Sequence, residues 1–339
     1  MVNQHNASIL PQKHGKLEVG TRVTPVPQGK QALVKVTAAA VNPLDWKIID
    51  YGIFVEKFPA VLGFDGAGVI HAIGPEVAGF QVGDRVIFQA TCDPVDQAAY
   101  QEYAIVETDI IAKAPNNVND DQASTIPTGA ITAYYGLFQR TGISPPLSGP
   151  TASGKPVLIL GGSSSVGQFA IQLARIAGFS TIVATASSHH ADFLKSLGAT
   201  HVFGRDVDVE TIQSAFATPV SLVFDTISVE STQLLAFDVL TTPSPVSGAR
   251  LSLLLAPADP VTEKNSGGQV IVDHVFGSSH MCRELSVPFW QKVGEWVKKG
   301  ELLPNHVQLV KGGLAGIPEA LNLSRKGVSG VKLVVRPWE

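Results

Sequence analysis

Near the middle of the chain, small residues separate an apolar segment from a helix-like segment. The stretch reads LILGGSSSVGQFAIQLA and begins with Leu158. Small residues let a backbone approach a bulky anion closely, and a helix N-terminus offers unpaired N–H groups with partial positive charge. The spacing therefore predicts a phosphate-binding turn, Gly161–Gly167, of the kind that holds a dinucleotide. We expect the contacts to come from Gly162, Ser163, Ser164, Ser165, Val166 and Gly167.

The motif in this turn is imperfect, because Ser164 takes the place of the middle glycine in Gly-x-Gly-x-x-Gly. The flanking segments nevertheless suit it. Residues 157–160 are wholly apolar, which is typical of a parallel strand buried on both faces. Residues 166–177 place their apolar side chains on one helical face. A tight turn that binds nothing is the alternative interpretation.

The next predicted strand and its carboxyl end read TIVATASSHH, residues 181–190. An NAD site usually has an acid here, which accepts a hydrogen bond from the ribose 2′-hydroxyl. From Thr181 onward, the first acid in this chain is Asp192. A carboxylate would repel a 2′-phosphate, whereas hydroxyl and imidazole groups bind it, so the segment favours NADPH. The expected contacts are Ser187, Ser188, His189 and His190, and a polar loop with a helix cap is the alternative.

Elements of different kinds must position these residues. Short strands with Gly-rich turns are predicted in the first third, at 31–41, 61–73 and 82–90. From residue 157 onward strands alternate with helices, which indicates βαβ units and a parallel sheet. In the last part the stretch FWQKVGEWVKKG predicts a helix with Pro288 near its first turn, and a strand is expected at 331–335. The fold class is therefore α/β.

Composition excludes several classes of function. Charged residues make up 16% of the 339 residues and the net charge is −4, which argues against general nucleic-acid or membrane-surface binding. Two cysteines, Cys92 and Cys282, are too few for a four-ligand structural zinc site. No apolar run approaches the ~18 residues of a membrane span, and no secretory signal is visible at the N-terminus. We expect a cytoplasmic protein.

Several segments together resemble the medium-chain dehydrogenase/reductase superfamily, namely LGFDGAGVI, GPEVAGFQVGDRV and VLILGGSSSVGQFAIQLA. The likeness covers almost the whole chain. It implies a Rossmann-fold cofactor domain inserted in a GroES-like β domain. The expected boundaries are 1–124 for the first part of the catalytic domain, 125–275 for the NADPH-binding domain and 276–339 for the second part of the catalytic domain.

Further segments are similar to the fungal trans-acting enoyl reductases of secondary metabolism, namely VNPLDWK, PPLSGPTASGKPVLILGGSSSVGQ and VSGVKLVV. This likeness implies NADPH-dependent reduction of an α,β-unsaturated thioester or carbonyl compound. The substrate is then a free small molecule or a carrier-linked acyl group, and a polyketide synthase is the partner in the second case. Monomer and homodimer both remain open.

The zinc alcohol dehydrogenases of this superfamily carry a catalytic Cys and a Gly-His-Glu. This chain has Pro43–Trp46 and Gly63-Phe64-Asp65 at those places, and it lacks their four-cysteine lobe. Without these ligands no Zn²⁺ is available to polarise a carbonyl group. The expectation is therefore no metal site and hydride transfer without a metal.

The resemblance implies two catalytic residues, Lys47 and Thr132, on the two walls of a nicotinamide cleft. Lys47 would donate to the nicotinamide ribose, to the developing enolate oxygen, or to both. A surface lysine and a helix hydroxyl bonded to its own backbone are the alternatives for these two residues. The α-carbon proton can come from water.

The remaining predicted site residues take smaller roles. Arg205 either pairs with the 2′-phosphate or is solvated. Asp225, at the end of a predicted strand, organises its loop, and Tyr51 is a substrate residue or a structural aromatic. Further cofactor contacts are expected from Asn42, Asp45, Leu255, Val331 and Lys332, and further substrate contacts from Phe276 and Gly277.

Three functions remain open, namely two enzyme activities and one non-catalytic role. The first is an NADPH-dependent enoyl reductase. The second is a quinone or enone oxidoreductase that acts on a free small molecule. The third is a non-catalytic NADPH-binding protein, because a fold alone does not establish function.

Overall fold

The first part of the chain consists mainly of short strands, which the frequent Gly and Pro residues separate. The computed structural model describes residues 3–339. Up to residue 124 the elements are β1 Gln4–Leu10, β2 Glu18–Val23, β3 Gln31–Ala40, α1 Pro43–Tyr51, β4 Ala60–Val61, β5 Asp65–Ile73, β6 Arg85–Gln89, β7 Tyr103–Glu107, β8 Ile111–Lys113 and α2 Asp120–Ser124, with 3₁₀ turns at Val95–Gln97 and Thr108–Ile110.

Strands and helices alternate in the middle of the chain. They are α3 Pro127–Phe138, β9 Pro156–Leu160, α4 Ser165–Ala177, β10 Thr181–Thr185, α5 Ala191–Leu197, β11 His201–Phe203, α6 Val209–Ser214, β12 Leu222–Asp225, α7 Glu230–Thr241, β13 Arg250–Leu253, α8 Asp259–Lys264 and β14 Ile271–His274, with a 3₁₀ turn at Ser188–His190. The last part holds α9 Arg283–Lys298, β15 His306–Leu309, a 3₁₀ turn at Gly313–Gly316, α10 Ile317–Lys326 and β16 Val331–Val335.

These elements form two compact units. The first runs up to Thr128 and resumes at Ser278–Glu339, and the second is Gly129–Gly277. The chain therefore leaves the first unit within α3 and returns to it after β14. The sequence had placed these two boundaries at 124/125 and 275/276.

The first unit is built on a seven-stranded sheet. Its order is β15-β16-β3-β5-β6-β8, and β7 pairs with β3. The last strand, β16, lies antiparallel to β3 with Val334 opposite Ala40. This pairing brings the end of the chain back to its first part. A smaller sheet of order β2-β1-β4 packs its apolar residues, among them Leu10 and Val61, into the same core.

The second unit is a six-stranded parallel sheet of order β11-β10-β9-β12-β13-β14. Counted within the unit, this is the order 3-2-1-4-5-6 of a dinucleotide-binding fold. Strand β9 lies in the middle, and Val157, Leu158 and Ile159 are fully buried in it. The predicted parallel α/β sheet is confirmed. The order reverses between β9 and β12, and folds of this kind bind ligands at such a point.

One local expectation differs from the structure. Helix α9 begins at Arg283, so Pro288 lies inside it and not in its first turn. The earlier start has an anchor, since Ser286 Oγ donates to the Ser279 carbonyl (2.7 Å). Among residues 3–339, no helix has the length and apolar character needed to cross a membrane.

Candidate functional site

The phosphate turn lies in the second unit, between β9 and α4. Its first residue, Gly161, has φ of 78°, a left-handed conformation that favours glycine. Ser164 is the N-cap of α4, and its Oγ accepts a hydrogen bond from Gly167 N (2.9 Å). The residue that replaces the middle glycine therefore caps the helix, which is a common role for serine.

Gly167 allows the helix to lie directly on the turn. A Cβ atom at this position would overlap the carbonyl oxygen of Gly161 and press on the Cα of Gly162. Because backbone atoms cannot yield as side chains do, only glycine permits this approach. Ser164, Ser165 and Val166 are half-buried, so the first turn of α4 remains partly open. Its N–H groups and helix dipole suit an anion.

The loop after β12 supports the turn from the side. Thr226 Oγ1 donates to the carbonyl of Leu160 (2.7 Å) and lies 2.9 Å from Ser164 Oγ. Asp225 is fully buried, and its oxygens accept from Ile227 N, Ser228 N and Thr232 Oγ1 at 3.0, 2.9 and 2.6 Å. Burial raises the pKa of this carboxyl group. Asp225 thus organises its loop.

The carboxyl end of β10 carries hydroxyl and imidazole groups. Ser188 and His189 are exposed, and Ser187 and His190 are half-buried. The two imidazole rings lie 4.0 Å apart. Burial lowers the pKa of His190, and the nearby His189 and Arg205 lower it further.

Arg205 follows β11 and is exposed. The positive charge of Arg205 contributes to the lowered pKa of His190. The first acid after β10 is Asp192, which is exposed on α5. The chemistry of this group of donors suits a dianionic phosphate.

Thr132 and Gly277 also lie together within the second unit. A Cβ atom at Gly277 would overlap the hydroxyl of Thr132, so the two residues are in direct contact. The Thr132 side chain is 8% exposed and forms no hydrogen bond with residues 3–339. It is therefore not tied to its own helix backbone. Leu255 and Phe276, both 42% exposed, lie after β13 and β14.

Lys47 lies in the first unit, on helix α1, and is half-buried. Its Nζ lies 5.7 Å from the centre of the Trp46 ring. It forms no ion pair and no hydrogen bond with residues 3–339. Tyr51, at the end of the same helix, is 61% exposed and stands edge-on to Trp46. Lys47 thus carries an ammonium group that pairs with no carboxylate of residues 3–339.

The N-terminus of α1 is tied into a buried cluster of charged and polar groups. Lys332 Nζ donates to Asn42 Oδ1 (2.6 Å) and pairs with Asp65 Oδ2 (3.0 Å). Asn42 Nδ2 donates to the same Asp65 oxygen (2.8 Å). The other Asp65 oxygen accepts from Thr128 N (2.7 Å). Four residues of this cluster are at most 5% exposed, namely Asn42, Asp45, Asp65 and Lys332.

Asp45 occupies the third position of α1. Its Oδ2 accepts from Asn42 N (2.7 Å) and from the hydroxyl of Tyr100 (2.7 Å), while Oδ1 has no hydrogen-bond partner among residues 3–339. Burial raises the pKa of Asp45 to about 7, and these hydrogen bonds only partly oppose the effect. Gly63 makes room for Tyr100, because a Cβ atom there would lie 2.6 Å from the tyrosine ring.

Val331 and Lys332 begin β16 in the first unit. Lys332 is 4% exposed as a residue, and its ammonium pairs with Asp65 and donates to Asn42. Asp65 and Lys332 form a buried ion pair that the sequence did not predict, since Asp65 was expected only as a departure from a zinc motif. An acid inside the apolar strand segment LGFDGAGVI was the available signal, since a buried charge needs a partner.

The side chains around Asp65 do not form a set of donors that fits a metal ion. Within residues 3–339, no three His, Cys, Asp or Glu side chains lie close enough together to hold one. Asp65, which stands where the zinc relatives have Glu, uses one oxygen on Lys332 and Asn42 and the other on Thr128. Asp65 therefore has no oxygen left to ligate zinc in the usual way.

Two family models match the chain. The alcohol dehydrogenase GroES-like domain matches residues 28–116, and the zinc-binding dehydrogenase matches residues 165–243. Among curated proteins, the trans-enoyl reductase tndF of Aspergillus flavipes is 33% identical over 99% of each chain. The trans-enoyl reductase himH of Aspergillus japonicus is 32% identical over 94% of this chain and 93% of its own.

Solved structures agree with this fold. An alcohol dehydrogenase superfamily protein from Novosphingobium aromaticivorans is 26% identical with a TM-score of 0.82, over 97% of this chain and 99% of its own. The quinone oxidoreductase from Coxiella burnetii is 25% identical with a TM-score of 0.76, over 98% and 99%. A fold of this family implies a nicotinamide cofactor, NAD or NADP. The chain therefore belongs to the medium-chain dehydrogenase/reductase superfamily and is an oxidoreductase.

Proposed function

We propose that this protein is an NADPH-dependent enoyl reductase that works without a metal ion. It transfers hydride to the β-carbon of an α,β-unsaturated thioester or carbonyl compound in secondary metabolism. The observation that carries the proposal is the site chemistry of the two units: an acid-free, imidazole-rich end of β10, and an unneutralised Lys47. The likeness to the trans-enoyl reductases tndF and himH supports it.

Cofactor binding rests on the second unit. The turn Gly161–Gly167 and the N-terminus of α4 hold the pyrophosphate. Ser187, Ser188, His189, His190 and Arg205 hold the adenosine 2′-phosphate through hydrogen bonds and positive charge. A bound nicotinamide supplies the hydride, and the protein contributes position and electrostatics.

Lys47 stabilises the negative charge that develops on the substrate oxygen when hydride reaches the β-carbon. A donor aimed at such an oxygen lowers the barrier because it acts where charge develops. The Thr132 hydroxyl, which forms no hydrogen bond within residues 3–339, donates to the substrate or to the nicotinamide ribose. Water supplies the α-carbon proton. A carrier-linked acyl group is the substrate form we propose, with a polyketide synthase as partner.

A quinone or enone oxidoreductase is the second candidate, and the likeness to the quinone oxidoreductase from Coxiella burnetii favours it. One assay separates the candidates. NADPH absorbance is followed with enoyl thioesters, simple enones and quinones, before and after dialysis against a chelator. We expect oxidation with enoyl thioesters that dialysis does not change. Turnover with quinones alone supports the second candidate, and tight NADPH binding with no turnover contradicts both.

A further inference from the structure

The start of α1 is held by buried contacts that reach two strands of the first unit, β16 and β5. Lys332 on β16 donates to Asn42, which caps α1, and pairs with Asp65 at the start of β5. Asp65 also accepts from Asn42 (2.8 Å). One ammonium group thus joins two strands to the N-cap residue of a helix.

The two charged side chains of this cluster are buried away from solvent. The side chains of Lys332 and Asp65 are 5% and 0% exposed. A buried charge without its partner is strongly unfavourable, whereas a neutral pair of similar volume is tolerated. The ammonium of Lys332 therefore has one low-energy position, next to Asp65 and Asn42, and it does not reach out to solvent.

The position of the Lys47 ammonium depends on where α1 lies more than on contacts made by the Lys47 side chain. It lies five residues after Asn42, which is about 7.5 Å along a helix. Apart from the face of Trp46, its ammonium has no partner among residues 3–339. A nine-residue helix is not stable by itself, so its ends must be held. Arg325 of α10 holds the far end through Asp50 at 2.7 and 2.8 Å.

We propose that Lys332 is a positioning residue that acts through Lys47. Together with Asp65 and Asn42, it holds the first turn of α1 and thereby sets the position of the Lys47 ammonium in the reaction. The inference rests on the proposed role of Lys47 in hydride transfer. It assigns to the Lys332 side chain a role other than direct contact with the cofactor.

The test is a double-mutant cycle measured as kcat at saturating NADPH. The paired variant Asp65→Asn/Lys332→Met removes both charges and keeps similar volumes, so we expect it to fold. Its kcat should fall about 10- to 100-fold, because a small misplacement of a catalytic group is costly. In a Lys47→Ala background the same pair should lower kcat no further. Lys332→Arg, which keeps the charge, should retain more activity than Lys332→Met.

Arg85→Met/Asp120→Asn is the matched control, since this pair (2.6 Å) is partly buried elsewhere in the first unit. It should leave kcat unchanged in both backgrounds. An equal loss from the Lys332 pair with and without Lys47 would show a purely structural role and overturn the proposal. If the wild-type protein reduces no acceptor, the proposed function fails. Hydrogen exchange of α1 then decides separately: faster exchange in the paired variant supports the anchor, and unchanged exchange overturns it.

Discussion

The end of β10 and the start of α1 are both polar segments, yet their side chains differ in how deeply they are buried. At the end of β10, serine and histidine side chains are exposed or half-buried. At the start of α1, Asn42, Asp45, Asp65 and Lys332 are buried and joined by bonds of 2.6–3.0 Å. The first arrangement is suited to binding an anion from solution, and the second to holding a fixed geometry.

The difference follows from the cost of desolvation. A half-exposed imidazole or hydroxyl exchanges a water molecule for a phosphate oxygen at little cost. A fully buried carboxylate must instead find its partners within the protein, or it takes up a proton. Asp45 shows the second behaviour, because burial raises its pKa to about 7. Each region can be disturbed separately by substitutions of its own residues.

The largest effect should come from the buried region, as a pH dependence of stability. Asp45 has a pKa of about 7 when folded and 3.8 as its ordinary value, so the folded state binds the proton more tightly. Ionisation of Asp45 therefore lowers the free energy of unfolding. This loss of stability is absent below about pH 4, grows as pH rises, and is complete above about pH 7, at about 4 kcal/mol. Urea unfolding at about pH 5 and about pH 8 measures it.

Asp45→Asn is the variant that checks the origin of this effect. It removes the titratable group at position 45, so the free energy of unfolding should differ less between the two pH values. The same slope in the variant as in the wild type would show that other groups cause it. NADPH affinity, which belongs to the other region, should stay within about 2-fold.

Removal of the Lys47 ammonium should have the next largest effect. Lys47→Ala should lower kcat about 100-fold, as the loss of one donor to a developing oxyanion does. Stability should not change, because Lys47 forms no ion pair with residues 3–339. Steady-state kinetics with an enoyl thioester measure the change, and the exposed Lys298→Ala is the control. Unchanged turnover in Lys47→Ala would remove this residue from the mechanism.

A new acid at the end of β10 should have a smaller effect on the exposed region. Ser187→Asp places a carboxylate where the 2′-phosphate is expected, and NADPH should bind about 10-fold more weakly while NADH binding holds or improves. Ser196→Asp adds the same charge on α5 and should leave the ratio of NADPH affinity to NADH affinity unchanged. Dissociation constants from nucleotide fluorescence measure both. Equal weakening by the two variants would indicate a long-range charge effect only.

The smallest effect should come from titration of His190. Because burial, His189 and Arg205 lower the pKa of His190, this residue gains its charge only as pH falls below the ordinary value of 6.5. NADPH affinity, relative to NADH, should then rise by less than about 5-fold between about pH 8 and about pH 6. His189→Gln/His190→Gln should abolish that rise. A rise that persists in this variant would exclude the two histidines as its cause.

The sequence predicted the local features well where a single segment carries the signal. The apolar run of β9, the amphipathic α4 and the small-residue turn between them are contiguous, and so is the acid-free end of β10. The parallel sheet followed from the alternation of strands and helices. Helix α1 was less evident, because a nine-residue helix presents little periodicity.

The buried cluster could not be predicted because its partners are far apart in the chain. Asn42 and Lys332 are separated by 290 positions, and only the pairing of β16 with β3 brings them together. The same holds for Asp45 and Tyr100, which a glycine at position 63 allows to meet. Contacts of this kind depend on the tertiary fold rather than on a motif.

The most direct test of the central claim follows where the hydride goes. Chelator-treated protein is incubated with an enoyl thioester and with NADPH deuterated at the transferable position of the nicotinamide, and the product is examined by NMR. We predict a saturated thioester with one deuterium at the β-carbon. Deuterium at the carbonyl carbon, or activity that returns only with added zinc, would contradict the account.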